Sequence, residues 1–419
     1  MIRHVFKLIW NRKRTNLLMM IEIFVSFLVL FAVVALGVYT ADNWRRPIGF
    51  EYDRVWAAEI DMQQTSDDTF DESQQETARQ LMFALKEFPE IEQSAGTMLA
   101  PYQFGSSNSG YNWRGRRVDF GIAEVTDDFK DVLGLKVVEG RWFGREDDGQ
   151  NYHPVVINQD ARMDLFGSGP AIGQSLNGDR PGSLPGNDPP SNEIQQRVVG
   201  VVEAYREDGE FDGERNYALF RKTMLGAQPT GGDAAASRRD RPPRTLLIKV
   251  RPGTTAEFEE RLVKRLQAAA PSWSFDVTPL KEMRDTSIRF AIAPLAAVGL
   301  VAGFLMLMVA LGLLGVLWQT VTQRTREIGL RRAKGATRVN VQRQILGEIA
   351  VMTTLALAAG VLVAIQFPLL DIIYFVDPHV YFVGLAISVT AIYLLTLACA
   401  WYPSRMATRI DPAEALRYE

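Results

Sequence analysis

The chain is poor in the side chains that most often carry chemistry. One cysteine and three histidines (His4, His153, His379) stand among 419 residues. A single cysteine excludes an intrachain disulfide, and three scattered histidines exclude a His-rich zinc site. No G-x-x-x-x-G-K-[ST] occurs, so the chain by itself forms no P-loop. No G-x-S-x-G occurs either; Gly105–Gly110 (GSSNSG) has the wrong spacing for a nucleophile elbow and reads as a loop. The acidic run Asp208–Glu214 (DGEFDGE) places acids at the first, third and fifth positions of a calcium loop and Gly213 at the sixth. Leu219 then stands at the twelfth, where a bidentate acid is needed, so the run reads as acids in a solvated loop.

What is present is apolar and unevenly distributed. With 47% hydrophobic and 23% charged residues and a formal net charge of −3, the averages describe an ordinary soluble protein. Resolved along the chain, the apolar residues fall into four blocks, about Leu17–Tyr39, Phe290–Gln319, Ile349–Leu370 and Val380–Tyr402. Each is long enough as a helix to cross a hydrocarbon core of about 30 Å. The first follows Arg12, Lys13 and Arg14 and exceeds the apolar length of a cleavable signal, so it reads as an uncleaved signal anchor. The second, with Pro294 near one end, is longer than a bilayer needs, and Pro294 is expected to kink or start its helix.

Lys and Arg set the orientation. Five lie in residues 1–16, seven between the second and third blocks, and Arg405, Arg409 and Arg417 in the tail, whereas 371–379 holds none. The expected topology is therefore multi-pass in the cytoplasmic (inner) membrane, with both termini cytoplasmic and residues 42–287 periplasmic or extracellular. Residues 42–287 carry a net −11 and the remainder +8, so the near-neutral average conceals an acidic exterior segment and a basic face suited to anionic lipid. Ile2, Val5, Phe6 and Ile9 suit an interfacial amphipathic helix over residues 1–16, the alternative being a disordered basic leader.

The fold class expected is a membrane protein of four transmembrane α-helices with a large α+β extracytoplasmic domain inserted between the first two. The divisions are 17–41 for the first span and stalk, 42–287 for the domain, 288–320 for the stalk and second span and 321–347 for a cytoplasmic loop. The third span is 348–370, a short loop 371–379, the fourth span 380–402 and the tail 403–419. Within the domain, Val55–Ile60, Arg117–Val125, Pro154–Asn158, Arg197–Glu203 and Thr245–Val250 read as strands, Phe70–Phe88 and Ala256–Ala270 as helices. Asn177–Ser191 and Gly226–Arg244 read as Pro- and Gly-rich surface loops. Gly299, Gly303, Gly312 and Gly315 in the second span allow close helix approach, either at a dimer interface or within one protomer. Glu22 and Glu348 near the membrane blocks suit a structural or interfacial role better than a proton relay.

Thr322–Ala336 (TQRTREIGLRRAKGA) resembles the cytoplasmic signature of MacB/FtsX-type ABC transporter permeases. Pro403–Arg417 is similar to that family's C-terminal segment. Gly134–Phe143, Val155–Asn158 with Leu165–Gly167 and Ile172–Gly173, and Val198–Val202 are similar to the MacB periplasmic core domain. The resemblance implies a permease subunit that is not an enzyme. It implies a separate ABC ATPase dimer binding ATP and Mg, since MacB itself carries a fused N-terminal ATPase and this chain begins at the membrane anchor, as in the LolC/LolE type. It places Glu327, Ile328, Gly329, Arg331, Ala333, Gly335 and Ala336 at the ATPase contact, in a coupling helix. It further implies a second permease copy or paralogue and mechanotransmission that drives export or release of a drug, peptide or lipoprotein. A periplasmic adaptor and outer-membrane channel stay open as further partners, membrane lipids are expected and nucleic acid is not. The alternative is an FtsX-like subunit that activates a cell-wall hydrolase without transport.

Overall fold

The computed structural model describes residues 13–62, 72–113, 116–176, 195–211, 213, 215–223, 242–323, 330, 336–369 and 377–407. Two compact units emerge: Trp44–Phe290, and Met1–Asn43 together with Ala291–Glu419.

The 44–290 unit is built on one ten-stranded sheet. Its elements in chain order are β1 (Val55–Met62), α2 (Glu72–Leu85), β2 (Ile91–Thr97), β3 (Asn108–Trp113), β4 (Arg116–Val125), α3 (Phe129–Leu133) and β5 (Val137–Gly140). They continue with β6 (Tyr152–Asn158), α4 (Gln159–Phe166), β7 (Gln195–Val202), β8 (Tyr217–Arg221), β9 (Thr245–Val250), α5 (Ala256–Ala269) and β10 (Trp273–Pro279). The order is β10-β1-β9-β2-β4-β8-β6-β7-β5, with β3 beside β4. Two lobes share this sheet, because β2 and β4 pair only at Thr97↔Val125. In the first lobe β1-α2-β2 and β9-α5-β10 interleave as a split β-α-β arrangement. The amphipathic helix α5 buries Phe258, Leu262 and Leu266 at helical spacing against Trp56, Ala58 and Ile60 of β1. The second lobe, inserted between β2 and β9, packs α4 through Ala161 and Leu165 on Val155 and Ile157. A third core on the opposite face gathers Phe50, Ala57, Tyr102, Val125, Tyr205, Leu247 and Leu280.

Four helices are long and apolar enough to cross a membrane: α1 (Lys13–Arg45), α6 (Leu280–Gln323), α7 (Arg338–Leu369) and α8 (Pro378–Ala407). All exceed the apolar blocks. The 44-residue α6 extends about 66 Å at 1.5 Å per residue and follows β10 without a linker. Pro294 lies inside it, so the proline does not start the helix; the 14 residues before it form helix because Leu280 and Met283 pack into the core of the 44–290 unit. Glycine spacing organises the membrane unit. A Cβ at Gly312 of α6 would collide with the Glu22 carboxylate, one at Gly360 of α7 with the Phe27 ring, and one at Gly384 of α8 would lie 3.0 Å from Ala35 Cα. Each of the later spans thus meets α1 at a glycine, where close approach lets van der Waals packing hold helices that water exclusion cannot drive together. Met19, Ile23, Phe27 and Phe31 fill the same seam with Leu313, Met352, Tyr381 and Ile392.

Candidate functional site

At the base of the 44–290 unit, chemistry converges on one carboxylate. The chain leaves α1 through Trp44 and Arg46 and enters α6 at Leu280, so both helix roots lie beside the loop 205–211. Arg284, one turn into α6, donates from Nε to Glu210 Oε1 at 2.6 Å. Its guanidinium lies 4.7 Å from the Tyr52 ring centroid and 5.7 Å from that of Trp44, within cation–π range. Trp44 also meets Phe211, ring centroids 5.5 Å apart. Tyr102 Oη donates to Glu210 Oε2 at 3.4 Å, and Arg206 donates to the Glu210 carbonyl at 3.2 Å and to the Arg46 carbonyl at 3.3 Å. The Arg206 amide reaches the Ile48 carbonyl at 3.1 Å. Within the 44–290 unit, one buried acid therefore joins Arg284, in the first turns of α6, to the loop 205–211, with Trp44 and the Arg46 carbonyl beside it.

The backbone here is strained. Tyr102 has φ +65, a left-handed conformation unusual for a bulky residue. Its amide bonds the Glu207 carbonyl at 2.9 Å. Gly209, at φ +81, admits the Tyr102 ring where any Cβ would overlap it. Burial, and next the negative Glu210, push the Tyr102 hydroxyl far above its ordinary pKa, so it stays a proton donor at every physiological pH.

These contacts correct the reading of Asp208–Glu214 as a solvated acidic loop at Glu210, which is buried; Asp212 and Glu214 lie outside the described residues. Glu210 pairs with an arginine 74 residues away, a separation that no local pattern signals. Trp44 and Arg284 carried a faint signal, an aromatic and a cation just outside apolar blocks, where membrane boundaries collect such residues.

Of the residues placed at the ATPase contact, Glu327, Ile328, Gly329, Arg331, Ala333 and Gly335 lie outside the described residues. Ala336 is half-buried against Val341 at the start of α7, where Thr337 Oγ1 accepts from the Asn340 amide at 3.3 Å as an N-cap. The interfacial segment of residues 1–12, the loop 177–191 and residues 408–419 of the tail likewise lie outside. The four glycines of α6 separate: Gly312 packs on Glu22 of α1, whereas Gly299, Gly303 and Gly315 have open space where a side chain would stand. Glu348 accepts from Gln344 Nε2 at 3.1 Å, and Gly105–Gly110 is loop only to Ser107, then β3.

Comparison with known proteins matches two regions of the chain. Residues 17–265, more than half of the chain, match the MacB-like periplasmic core domain, and residues 299–412 match the FtsX-like permease C-terminal region. The Macrolide export ATP-binding/permease protein MacB 1/2 of Paracoccus denitrificans is 27% identical over 71% of this chain and 42% of its own length. The Uncharacterized ABC transporter permease YvrN of Bacillus subtilis is 25% identical over 70% of this chain and 69% of its own. The crystal structure of the periplasmic region of MacB from Actinobacillus actinomycetemcomitans is 15% identical, covering 57% of this chain and 93% of that one with a TM-score of 0.36. The chain spans less than half the length of the MacB relative from Paracoccus. With both models matched in order along it, the chain belongs to the family of membrane permeases that join a MacB-like periplasmic core domain to an FtsX-like permease C-terminal region.

Proposed function

We propose that this chain is the permease subunit of an ABC transporter and works by mechanotransmission. An ATPase on the cytoplasmic side, binding ATP and Mg, acts on the segment 321–347, and the motion travels along α1 and α6 to the 44–290 domain, which lies outside the cytoplasmic membrane. There it drives export or release of an amphiphilic substrate such as a drug, peptide or lipoprotein. The observation that carries this reading is the joint at Glu210. A helix that merely anchors a domain needs no buried ion pair at its root, whereas one that moves a domain needs a stiff, registered connection. The pair Arg284–Glu210 supplies it, held between Trp44, Tyr52 and Tyr102.

Gly299, Gly303 and the exposed Leu300, Phe304 and Leu307 give α6 a free apolar face suited to lipid or to a second permease copy. The proposal predicts that the chain co-purifies with a P-loop ATPase. Glu327→Arg and Gly335→Trp each lower stimulated ATP turnover while leaving thermal unfolding of the permease unchanged. Turnover that survives both substitutions overturns the proposed contact.

A further inference from the structure

The face of the sheet that carries Val55 and Ala57 changes character along β1. Val55 and Ala57 sit in the core, but the next residues on the same face, Glu59 and Asp61, are exposed. Across the ladder Glu59 stands opposite Asp276, and Asp61 opposite Ser274 of β10. Like charges directly opposite one another destabilise a strand pair unless a cation lies between them. Among the described residues none of the three carboxylates enters an ion pair, and none is close enough to others to build a three-ligand metal site.

These acids line a groove of about 840 Å³, within the range of small-molecule sites. Met98, Leu99 and Phe104, from the connection between β2 and β3, supply an apolar part of its wall, beside Gln103 and Ser274. Phe104 is 74% exposed and stands edge to face on Phe290, itself 62% exposed, with ring centroids 5.2 Å apart. Exposed aromatics of this size beside unneutralised acids form a surface that folding alone does not require. Gln74 Oε1, also on the groove, is buried and has no hydrogen-bond partner among the described residues. Among the described lining residues Arg244 is the one cation, against the three carboxylates.

We infer that this groove binds a cationic amphiphile. Its ammonium group lies between Glu59 and Asp276, and its apolar body lies against Leu99 and Phe104. A plain polyamine leaves the apolar wall unused and a neutral lipid leaves the acids unused. That the groove serves as a substrate site rests on the permease reading above, but binding itself does not, so the test reads binding alone.

The full chain in nanodiscs of zwitterionic lipid is titrated with dansylcadaverine, which joins one primary ammonium to an apolar fluorophore, and with its N-acetyl derivative, which lacks the charge. The expected result is saturable blue-shifted emission with dansylcadaverine and affinity weaker by about tenfold or more for the acetylated probe, as for loss of a charge-assisted contact. Glu59→Gln combined with Asp276→Asn reduces dansylcadaverine to the affinity of the acetylated probe, and Phe104→Ala reduces the blue shift, both with unchanged thermal unfolding. Equal affinity of the two probes for the unmodified chain overturns the proposal without reference to any variant. So does full binding by the double variant. Neither result bears on ATPase coupling, which the substitutions at Glu327 and Gly335 address separately.

Discussion

The two units of this protein are each stabilised internally, and by opposite means. The 44–290 unit uses layered apolar cores and charge pairs in which one member is buried. Arg221 clasps Asp127 with Nε and Nη2 at 2.7 and 2.8 Å and reaches Asp148 with Nη1 at 2.7 Å, and Arg141 clasps Asp147 at 2.6 and 2.7 Å. The membrane unit uses small residues at helix crossings and leaves much apolar side chain on its outside, as Leu300 and Leu307 do. The difference follows from the solvent. In water, burying apolar area drives packing and a paired charge supplies register; in lipid there is no such drive, and fit at the crossing decides. The joint at Glu210 applies the first logic at the roots of helices whose spans obey the second.

Breaking the joint tests that comparison most severely. Glu210→Ala leaves Arg284 without its partner, and loss of one member of a buried pair costs about 3 kcal/mol, at the low end of the usual range because Arg284 keeps some solvent access. Thermal unfolding followed by Trp fluorescence of the 44–290 unit reads this loss. Exchanging the pair, Glu210→Arg with Arg284→Glu, recovers part of it in a double-mutant cycle; additive losses mean that the two side chains do not act together.

The glycine crossings come next. Gly360→Leu drives a side chain into the Phe27 ring, and overpacking of this kind costs about 1–3 kcal/mol. Gly303→Leu, with open space around it, stays within about 0.5 kcal/mol in a monomeric preparation. Thermal stability of the two variants in detergent separates them; equal losses contradict the crossing geometry.

A smaller effect distinguishes the units by pH. Burial works against the charge on Asp147, but the Arg141 fork, the Gly144 amide at 3.1 Å and the Tyr152 hydroxyl at 3.3 Å outweigh it and hold its pKa below the ordinary carboxylate value. A depressed carboxylate contributes stability that is complete above its unfolded pKa and is lost as pH falls through the folded one. Acid therefore weakens the 44–290 unit below about pH 4, the ordinary carboxylate range, and Asp147→Asn removes that part of the dependence. Unfolding midpoints across an acid pH series check the prediction. An unchanged pH slope in the variant contradicts the assignment.

How much of this was legible in the sequence depended on the range of the forces involved. The spans were legible because about 20 consecutive apolar residues leave few alternatives. Strands β1, β4, β6, β7 and β9 were legible from β-branched runs. Strands β2 (IEQSAGT) and β3 (NSGYNW) were not, since they are polar and glycine-bearing and gain their pairing from neighbours distant in sequence. The helices reach past their apolar blocks because their ends pack on protein, as Leu280 does in the core of the 44–290 unit. Gly312 and Gly303 look alike in sequence, and only the partner helix tells them apart. Glu210 was hidden among other acids for the same reason: its role is defined by an arginine that the fold brings to it.

The central claim is that the Glu210–Arg284 joint transmits motion from the helices to the domain. Arg284→Met keeps the packing stem and removes the ion pair, and its direct test is ATP turnover and substrate export measured together on one reconstituted preparation with the ATPase. The account predicts that turnover stays near that of the unmodified protein while export falls by about tenfold, within the usual range of coupling between sites. Export that continues at the unmodified rate, with turnover also unchanged, would contradict it.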